Sequence, residues 1–271
     1  MSWAEEALAL VARDEATALI TLTRVEGSAP REAGARMLVW RDGQSGTIGG
    51  GNLELMLTRD ARALLAGEDE ASEHDYPLGP ILGQCCGGRV RARIERLSAA
   101  HADWLKQEAC AEQARRPPLY VFGAGHVAQA IAHAVAHLPV ALHWFDTRAA
   151  FCGVAKLTTD PRTNVAGAPA GALFLVLTHN HDLDYEIVRT VLARRDAVYC
   201  GLIGSKSKRA RFARQLRADG LAAELHRLTC PIGGSIGLKG KAPAVIAAAA
   251  AAELMLVLEA RQHATESAHV D

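Results

Sequence analysis

The stretch LYVFGAGHVA, residues 119–128, has the pattern of a short apolar strand, a G-x-G-x-x-A turn and the start of a helix. Gly123 and Gly125 are the glycines of this turn, and Ala128 is its third small residue. Glycines at these positions let the backbone approach a diphosphate, whose charge meets the positive N-terminus of the helix. The motif alone is weak, but its position between a strand and a helix indicates a Rossmann-like fold.

Strand and helix patterns alternate on the C-terminal side of this turn. The predicted strands cover residues 140–146, 172–178 and 197–204, and helical patterns follow the last two of them at 182–194 and 205–218. Alternation of this kind predicts a doubly wound parallel sheet with helices on both faces. An α/β domain of Rossmann-like type is therefore expected over residues 117–271.

The chain before the turn has a different pattern. Three alternating stretches, residues 16–24, 35–40 and 90–97, are typical of strands, and a glycine run leads into a helix that Asn52 can cap. Two consecutive prolines, Pro117 and Pro118, follow a polar helix and mark a boundary. The sequence predicts an N-terminal α+β domain over residues 1–116.

Composition excludes several classes of protein. Lys plus Arg and Asp plus Glu each number 30, and this zero formal net charge argues against nonspecific nucleic-acid binding. The N-terminal residues MSWAEEALAL have no basic region and do not resemble a signal peptide. The apolar stretch 242–258 contains Pro243 and Glu253, which favours a buried helix over a membrane span. We expect a cytoplasmic protein that binds neither nucleic acid nor membranes.

Five residues of the C-terminal half are candidates for ligand binding. Asp146 ends the second strand at the spacing of a ribose-binding acid, with a strand-end cap as the alternative. His179 and His181 are expected to line a pocket rather than hold a metal, because no third ligand is fixed by spacing. His126 lies in the glycine turn, and Lys206 lies in the basic stretch GLIGSKSKRAR, which suits anions.

The stretch LGPILGQCCGGRV, residues 78–90, contains the adjacent cysteines Cys85 and Cys86. The chain has six cysteines, with no C-x-x-C pair or zinc spacing, so free thiols are expected. A thiolate is a nucleophile and a soft metal ligand. Cys85 and Cys86 are therefore candidate metal ligands, and the alternative is that they only pack a tight loop.

The residues around the cysteine pair favour an activated thiol. Gly87 and Gly88 let the backbone present its amides, and Arg89 adds a cation next to them. Gln84 supplies a side-chain amide that can bond an oxo or sulfido group. These residues together suit an anionic ligand with a soft metal or sulfur centre.

The motifs in this order resemble the xanthine dehydrogenase accessory protein family (XdhC/CoxI), and XdhC most closely. The similarity spans residues 16–258 and rests on GSAPR, GTIGGGNLE, LGQCCGG, VFGAGHVA, FDTR, THNHDLDYEIV, YCGLIGSKSKR and CPIGGSIGLKGK. Many relatives have a cysteine where this chain has Asn52, which puts more weight on Cys85 and Cys86.

The resemblance implies a molybdenum-cofactor chaperone and not a turnover enzyme. Such a protein binds the Mo-molybdopterin form, protects it and supports its sulfuration by a cysteine desulfurase. It then inserts the cofactor into apo-xanthine dehydrogenase. A homodimer is expected from the general frequency of symmetric oligomers.

Two other functions are compatible with the sequence. An NAD(P)-dependent oxidoreductase would use the glycine turn and Asp146, with His126, His179 or His181 as its acid or base. A protein-only adaptor would bind the dehydrogenase without a small ligand. The fold alone does not show whether NAD(P) binds, because the same fold occurs in proteins with and without this ligand.

Overall fold

The structure is a computed structural model that describes residues 2–78 and 88–267. It divides into two compact units, Met1–Arg115 and Arg116–Asp271. The first combines helices with an antiparallel sheet, and the second has a parallel sheet. The predicted fold class, an N-terminal α+β part followed by a Rossmann-like doubly wound sheet, is confirmed.

The N-terminal unit is built on a five-stranded sheet with the order β3-β2-β1-β5-β4, in which every pairing is antiparallel. Its elements are α1 (Trp3–Ala12), β1 (Thr17–Glu26), β2 (Arg36–Trp40), β3 (Gly43–Gly46), α2 (Gly51–Ala66), β4 (Ala71–Pro77), β5 (Arg89–Leu97) and α3 (Ala102–Arg115).

Both faces of this sheet are covered by helices. Ile20 and Leu22 of β1 pack in the core that contains Leu53 and Leu57 of α2. Leu19, on the opposite face of β1, packs in a second core with residues of α1 and α3. Burial on both faces explains why the first half of β1, ALITL over residues 18–22, is almost continuously apolar.

The glycine run before α2 turns the chain without a polar side-chain cap. The expectation that Asn52 caps α2 is wrong, because Gly50 is the N-cap residue and the helix begins at Gly51. The Glu54 carboxylate instead accepts hydrogen bonds from the backbone N–H groups of Gly50, at 3.0 Å, and Ile48, at 3.3 Å. Gly50 and Gly51 both have positive φ, which permits this tight entry into the helix.

The second unit contains a six-stranded parallel sheet with the order β11-β10-β9-β6-β7-β8. Its elements are β6 (Pro118–Phe122), α4 (His126–Val135), β7 (Ala141–Asp146), β8 (Lys156–Leu157), α5 (Pro161–Ala166), β9 (Leu173–Val176), α6 (His181–Ala193), β10 (Tyr199–Leu202), α7 (Lys206–Ala218), β11 (Leu228–Thr229) and α8 (Pro243–Ser267).

The sheet of the second unit is doubly wound around β6. Leu119 and Val121 of β6 face the core formed with α4 and α8. Tyr120 and Phe122 face the opposite core, to which α5, α6 and α7 contribute. Because β7 and β9 pair with opposite edges of β6, the strand order reverses there, and ligands of open α/β sheets bind at such a point.

The long helix α8 is apolar enough over Pro243–Arg261 to pass the length and composition test for a membrane span. One face of it packs in the same core as α4, through Ala247, Ala250 and Leu254. The buried Glu253 accepts a hydrogen bond from the Tyr199 hydroxyl of β10. These contacts bury one face of α8, but Leu256 on it is 55 % exposed, so the prediction of a buried helix holds for one face only.

Gly123 directly follows β6 and lies very close to the backbone of the segment that follows β9. Its φ is +113°, and a Cβ atom on it would lie 2.2 Å from the Leu177 carbonyl oxygen. Its N–H donates to the Phe145 carbonyl at 2.8 Å, and its carbonyl accepts from Trp144 Nε1 at 2.7 Å. The turn is therefore fixed to β7 as well as to the end of β9.

Substitution of Gly123 tests this packing requirement. We expect Gly123→Ala to lower the free energy of unfolding by about 2–4 kcal/mol, because a side chain adds both a backbone strain and a clash with Leu177. Gly125→Ala is the control, since Gly125 has a φ of −70° and no described atom lies within 4 Å of its Cβ position. Urea denaturation followed by tryptophan fluorescence measures both, and equal midpoints for the two variants would contradict the assignment.

Candidate functional site

The carboxyl edge of the parallel sheet holds most of the predicted site residues. Gly125 is the N-cap residue of α4, and the exposed His126 is the first residue of the helix. In the described part of the chain, no side chain caps this helix end and no atom lies within 4 Å of the Gly125 Cβ position. The first amides of α4 thus have no described side-chain cap, and the helix dipole favours an anion at such an end.

Asp146 ends β7 and is buried, with 5 % of its surface exposed. One carboxylate oxygen accepts from Ala124 N–H at 2.6 Å and from Arg148 Nη2 at 2.8 Å. The other accepts from Arg148 N–H at 2.8 Å and Arg148 Nε at 3.0 Å. Four donors thus occupy this carboxylate, an arrangement that fits the strand-end cap the sequence left as an alternative to ribose binding.

Opposing effects act on the ionisation of Asp146. Burial by itself would raise its pKa, but the hydrogen bonds from Arg148 and Ala124 outweigh burial and hold the pKa below the ordinary aspartate value. The Arg148 guanidinium also lies 4.2 Å from the centre of the Phe151 ring. The carboxylate therefore stays charged as part of a fixed pair.

The two histidines of the THNHD stretch lie at different places. His179 lines a narrow cavity of about 10 Å³ with Asp146 and Thr178, which is the room of one water molecule. His181 is the exposed first residue of α6. Within residues 2–78 and 88–267, no group of three His, Cys, Asp or Glu side chains has the arrangement of a metal site.

A buried ion pair that the sequence analysis missed joins the loops after β9 and β10. The Asp184 side chain is fully buried and accepts from Lys208 Nζ at 2.6 Å. Its other oxygen accepts from the Thr178 hydroxyl at 2.7 Å and the Thr178 N–H at 2.9 Å. Lys208 also donates to the Ile203 carbonyl at 3.0 Å. Asp184 and Lys208 are 24 positions apart, so no local motif connects them.

Lys206 lies at a second and larger cavity of about 620 Å³. Its lining also includes Arg209 and His226, and residues of the loop after β11. The structure thus separates Lys206 from the narrow cavity beside Asp146, although both cavities lie at the carboxyl edge of the sheet.

Glu253 fixes the glycine loop that follows β11. Its carboxylate accepts from the Gly233 N–H at 2.8 Å, the Ser235 N–H at 3.2 Å and the Ser235 hydroxyl. It also accepts from the Tyr199 hydroxyl, and burial together with this carboxylate raises the pKa of Tyr199. The sequence signal for this role was a single acid inside an apolar helix.

Comparison with known families identifies the chain. Residues 119–254 match the family described as the XdhC Rossmann domain, and residues 10–77 match the XdhC and CoxI family. The chain belongs to the XdhC family.

Two proteins with sequence or structural similarity to this XdhC-family chain extend the comparison. The uncharacterized protein YqeB of Escherichia coli is 30% identical over 260 residues, which cover 89% of this chain and 43% of YqeB. The chain therefore spans less than half the length of that relative. A crystal structure of a Bacillus halodurans protein described as a xanthine dehydrogenase has a TM-score of 0.79 and 21% identity. The match covers 96% of this chain and 97% of that one, and it shows a shared fold.

The cysteine loop of this XdhC-family protein is described only at its ends. The predicted site residues Gln84, Cys85, Cys86 and Gly87 lie outside the described residues. Leu78 N–H donates to the Gly88 carbonyl at 2.7 Å, which brings the two ends of the loop together. A Cβ atom on Gly88 would lie 2.4 Å from the Ser28 carbonyl oxygen, so the loop ends against the GSAPR segment.

Arg89 begins β5 beside the end of this loop. It lines a small cavity of about 80 Å³ together with Arg24, Arg91, Glu26 and Asp75. Arg91 binds Asp75 through two hydrogen bonds of 3.0 Å, and Arg24 pairs with Glu26 at 2.7 Å. Within the described ranges Arg89 makes no ion pair, although its charge is among those that lower the pKa of the nearby Asp75.

The Asp146–Arg148 pair predicts a pH dependence of stability. Because the folded-state pKa is lowered, the pair stabilises the fold above the unfolded carboxylate pKa of about 4, and this contribution is lost as the pH falls through the folded value. We expect Arg148→Met to cost about 2 kcal/mol near neutral pH, since it leaves a buried carboxylate with fewer donors. The difference from wild type should vanish once Asp146 is protonated in both proteins.

Arg162→Met is the matched control, because Arg162 binds Asp160 in the same two-residue geometry at an exposed site. Urea unfolding across the acidic range measures both variants. A stability loss of Arg148→Met that is independent of pH, or that equals the loss of Arg162→Met, would show that the Asp146 charge plays no such part.

Proposed function

We propose that this protein is a molybdenum-cofactor chaperone in the maturation of xanthine dehydrogenase. In this role it binds Mo-molybdopterin, protects it, supports its sulfuration by a cysteine desulfurase and inserts it into apo-xanthine dehydrogenase. Membership of the XdhC family, over both units of the chain, supports a maturation role rather than turnover of a substrate.

The hydrogen bonding of the Asp146 carboxylate is the observation that favours a chaperone over an NAD(P)-dependent oxidoreductase. A dinucleotide-binding Rossmann fold uses this acid to accept the ribose hydroxyls. Here Ala124 and Arg148 already donate four hydrogen bonds to it, and the cavity beside it has the room of one water molecule. The open N-terminus of α4 still suits an anionic group. The edge therefore offers an anion site without a ribose acceptor.

Each unit, taken by itself, has residues whose chemistry suits one part of this cargo in the proposal. A terminal phosphate can be received at Gly125, where no described atom fills the Cβ position, or by Lys206. Cys85 and Cys86 would supply soft sulfur ligands for molybdenum, and Gln84 an amide for an oxygen on the metal. Arg89 provides a cation next to that loop.

A cytoplasmic location and a homodimer belong to the same proposal. The cysteine desulfurase and apo-xanthine dehydrogenase are its proposed partners.

The cysteine pair gives the proposal its test. Protein purified anaerobically from a host that makes molybdenum cofactor should carry molybdopterin, identified by mass spectrometry of the released ligand. We expect a Cys85→Ala/Cys86→Ala double variant to retain roughly tenfold less molybdopterin than the wild type, because a soft-ligand contact is lost. A Cys110→Ala/Cys152→Ala double variant is the control, since both thiols are free and exposed. Equal retention by all three proteins would remove the cysteine pair from the mechanism.

Titration with NADH and NADPH tests the competing function directly. Trp144 donates to the Gly123 carbonyl, so its fluorescence reports on the glycine turn. A quench that saturates in wild type and disappears in Trp144→Phe would favour the oxidoreductase. An unchanged signal, together with co-purified molybdopterin, would support the chaperone.

A further inference from the structure

The cavity of about 620 Å³ lies between the start of α7 and the loop after β11. Its volume is within the range of small-molecule sites, roughly 300–1,000 Å³. The polar residues that line it are Lys206, Arg209, His226, Thr229, Cys230 and Ser235. The cavity lies two strands or more from the α4 turn, because β9 and β10 separate β11 from β6.

The cavity has a positive charge that the protein itself does not neutralise. Lys206 and Arg209 are three positions apart on α7, so they share one side of the helix. Within residues 2–78 and 88–267, neither has an ion pair, whereas Lys208 between them is bound to Asp184. The described lining contains no Asp or Glu.

Two groups close to the cavity, Cys230 and Glu253, form no described ion pair with Lys206 or Arg209. Burial raises the pKa of the Cys230 thiol, so it stays protonated and neutral near neutral pH. The buried Glu253 carboxylate binds the amides of Gly233 and Ser235 and the hydroxyls of Ser235 and Tyr199. This carboxylate fixes the loop at the cavity and is not itself among the residues that line it.

We infer that this cavity binds the phosphate group of a phosphate-bearing small molecule, with Lys206 and Arg209 as its charged contacts. The planar guanidinium of an arginine binds phosphate through two parallel hydrogen bonds, and a lysine adds a mobile point charge. The remaining volume receives the rest of the ligand. The inference rests on the proposed function only for the identity of that ligand, because molybdopterin and a free nucleotide both end in a phosphate.

Calorimetric titration of the full chain with inorganic pyrophosphate, at constant ionic strength, tests the site. We expect Lys206→Gln and Arg209→Gln each to weaken binding by roughly tenfold, as the loss of one charged hydrogen bond does. Arg214→Gln is the matched control, since it removes the same charge from an exposed position of α7 outside the cavity lining. An equal loss in Arg214→Gln would show general electrostatic attraction and overturn the inference.

The same variants separate this inference from the proposed function. Loss of both pyrophosphate binding and co-purified molybdopterin in Lys206→Gln and Arg209→Gln would place the phosphate of the cargo in this cavity. Loss of pyrophosphate binding in a protein that never carries molybdopterin would support the phosphate site and refute the chaperone, with AMP as the next probe. Unchanged pyrophosphate binding together with normal molybdopterin content would refute the site and leave the chaperone standing.

Discussion

The Rossmann unit depends on one close approach of backbone to backbone, where Gly123 at the end of β6 meets the Leu177 carbonyl oxygen. A side chain at this position would separate β6 from the segment that follows β9. The same residue bonds to β7 through Phe145 and Trp144, so three adjacent strands converge on it. The open amides at Gly125 lie where they do because Gly123 fixes the turn before them.

Three buried carboxylates hold the loops around this point together through hydrogen bonds. Asp146 binds the glycine turn, Asp184 binds the loops after β9 and β10, and Glu253 binds the loop after β11. A buried charge is costly unless its partners are complete, and each of these acids has several donors. Lys206 and Arg209 donate to none of these acids among the described ion pairs and are exposed, so their charges are separate from those that hold the loops together.

Local sequence patterns were sufficient for much of the fold. The turn at residues 123–128 and the alternating strands predicted the parallel sheet, because burial on both faces makes such strands apolar. β4 was not predicted, since it is a largely exposed edge strand with only Tyr76 buried. Asp146 matched a ribose-binding acid by spacing, yet its donors come from Arg148 and Ala124. Lys208 lies 24 positions from Asp184, and Tyr199 lies 54 positions from Glu253, so only the tertiary structure brings each pair together.

The tight turn at Gly123 has a consequence for how glycine motifs evolve. Strand packing requires a glycine at position 123, whereas the glycine at position 125 matters for a group that approaches the N-terminus of α4. Selection for a stable sheet alone would preserve the first, even in a lineage that had abandoned dinucleotides altogether. The first glycine of this G-x-G-x-x-A turn is therefore required by strand packing, whether or not a dinucleotide binds beside the second.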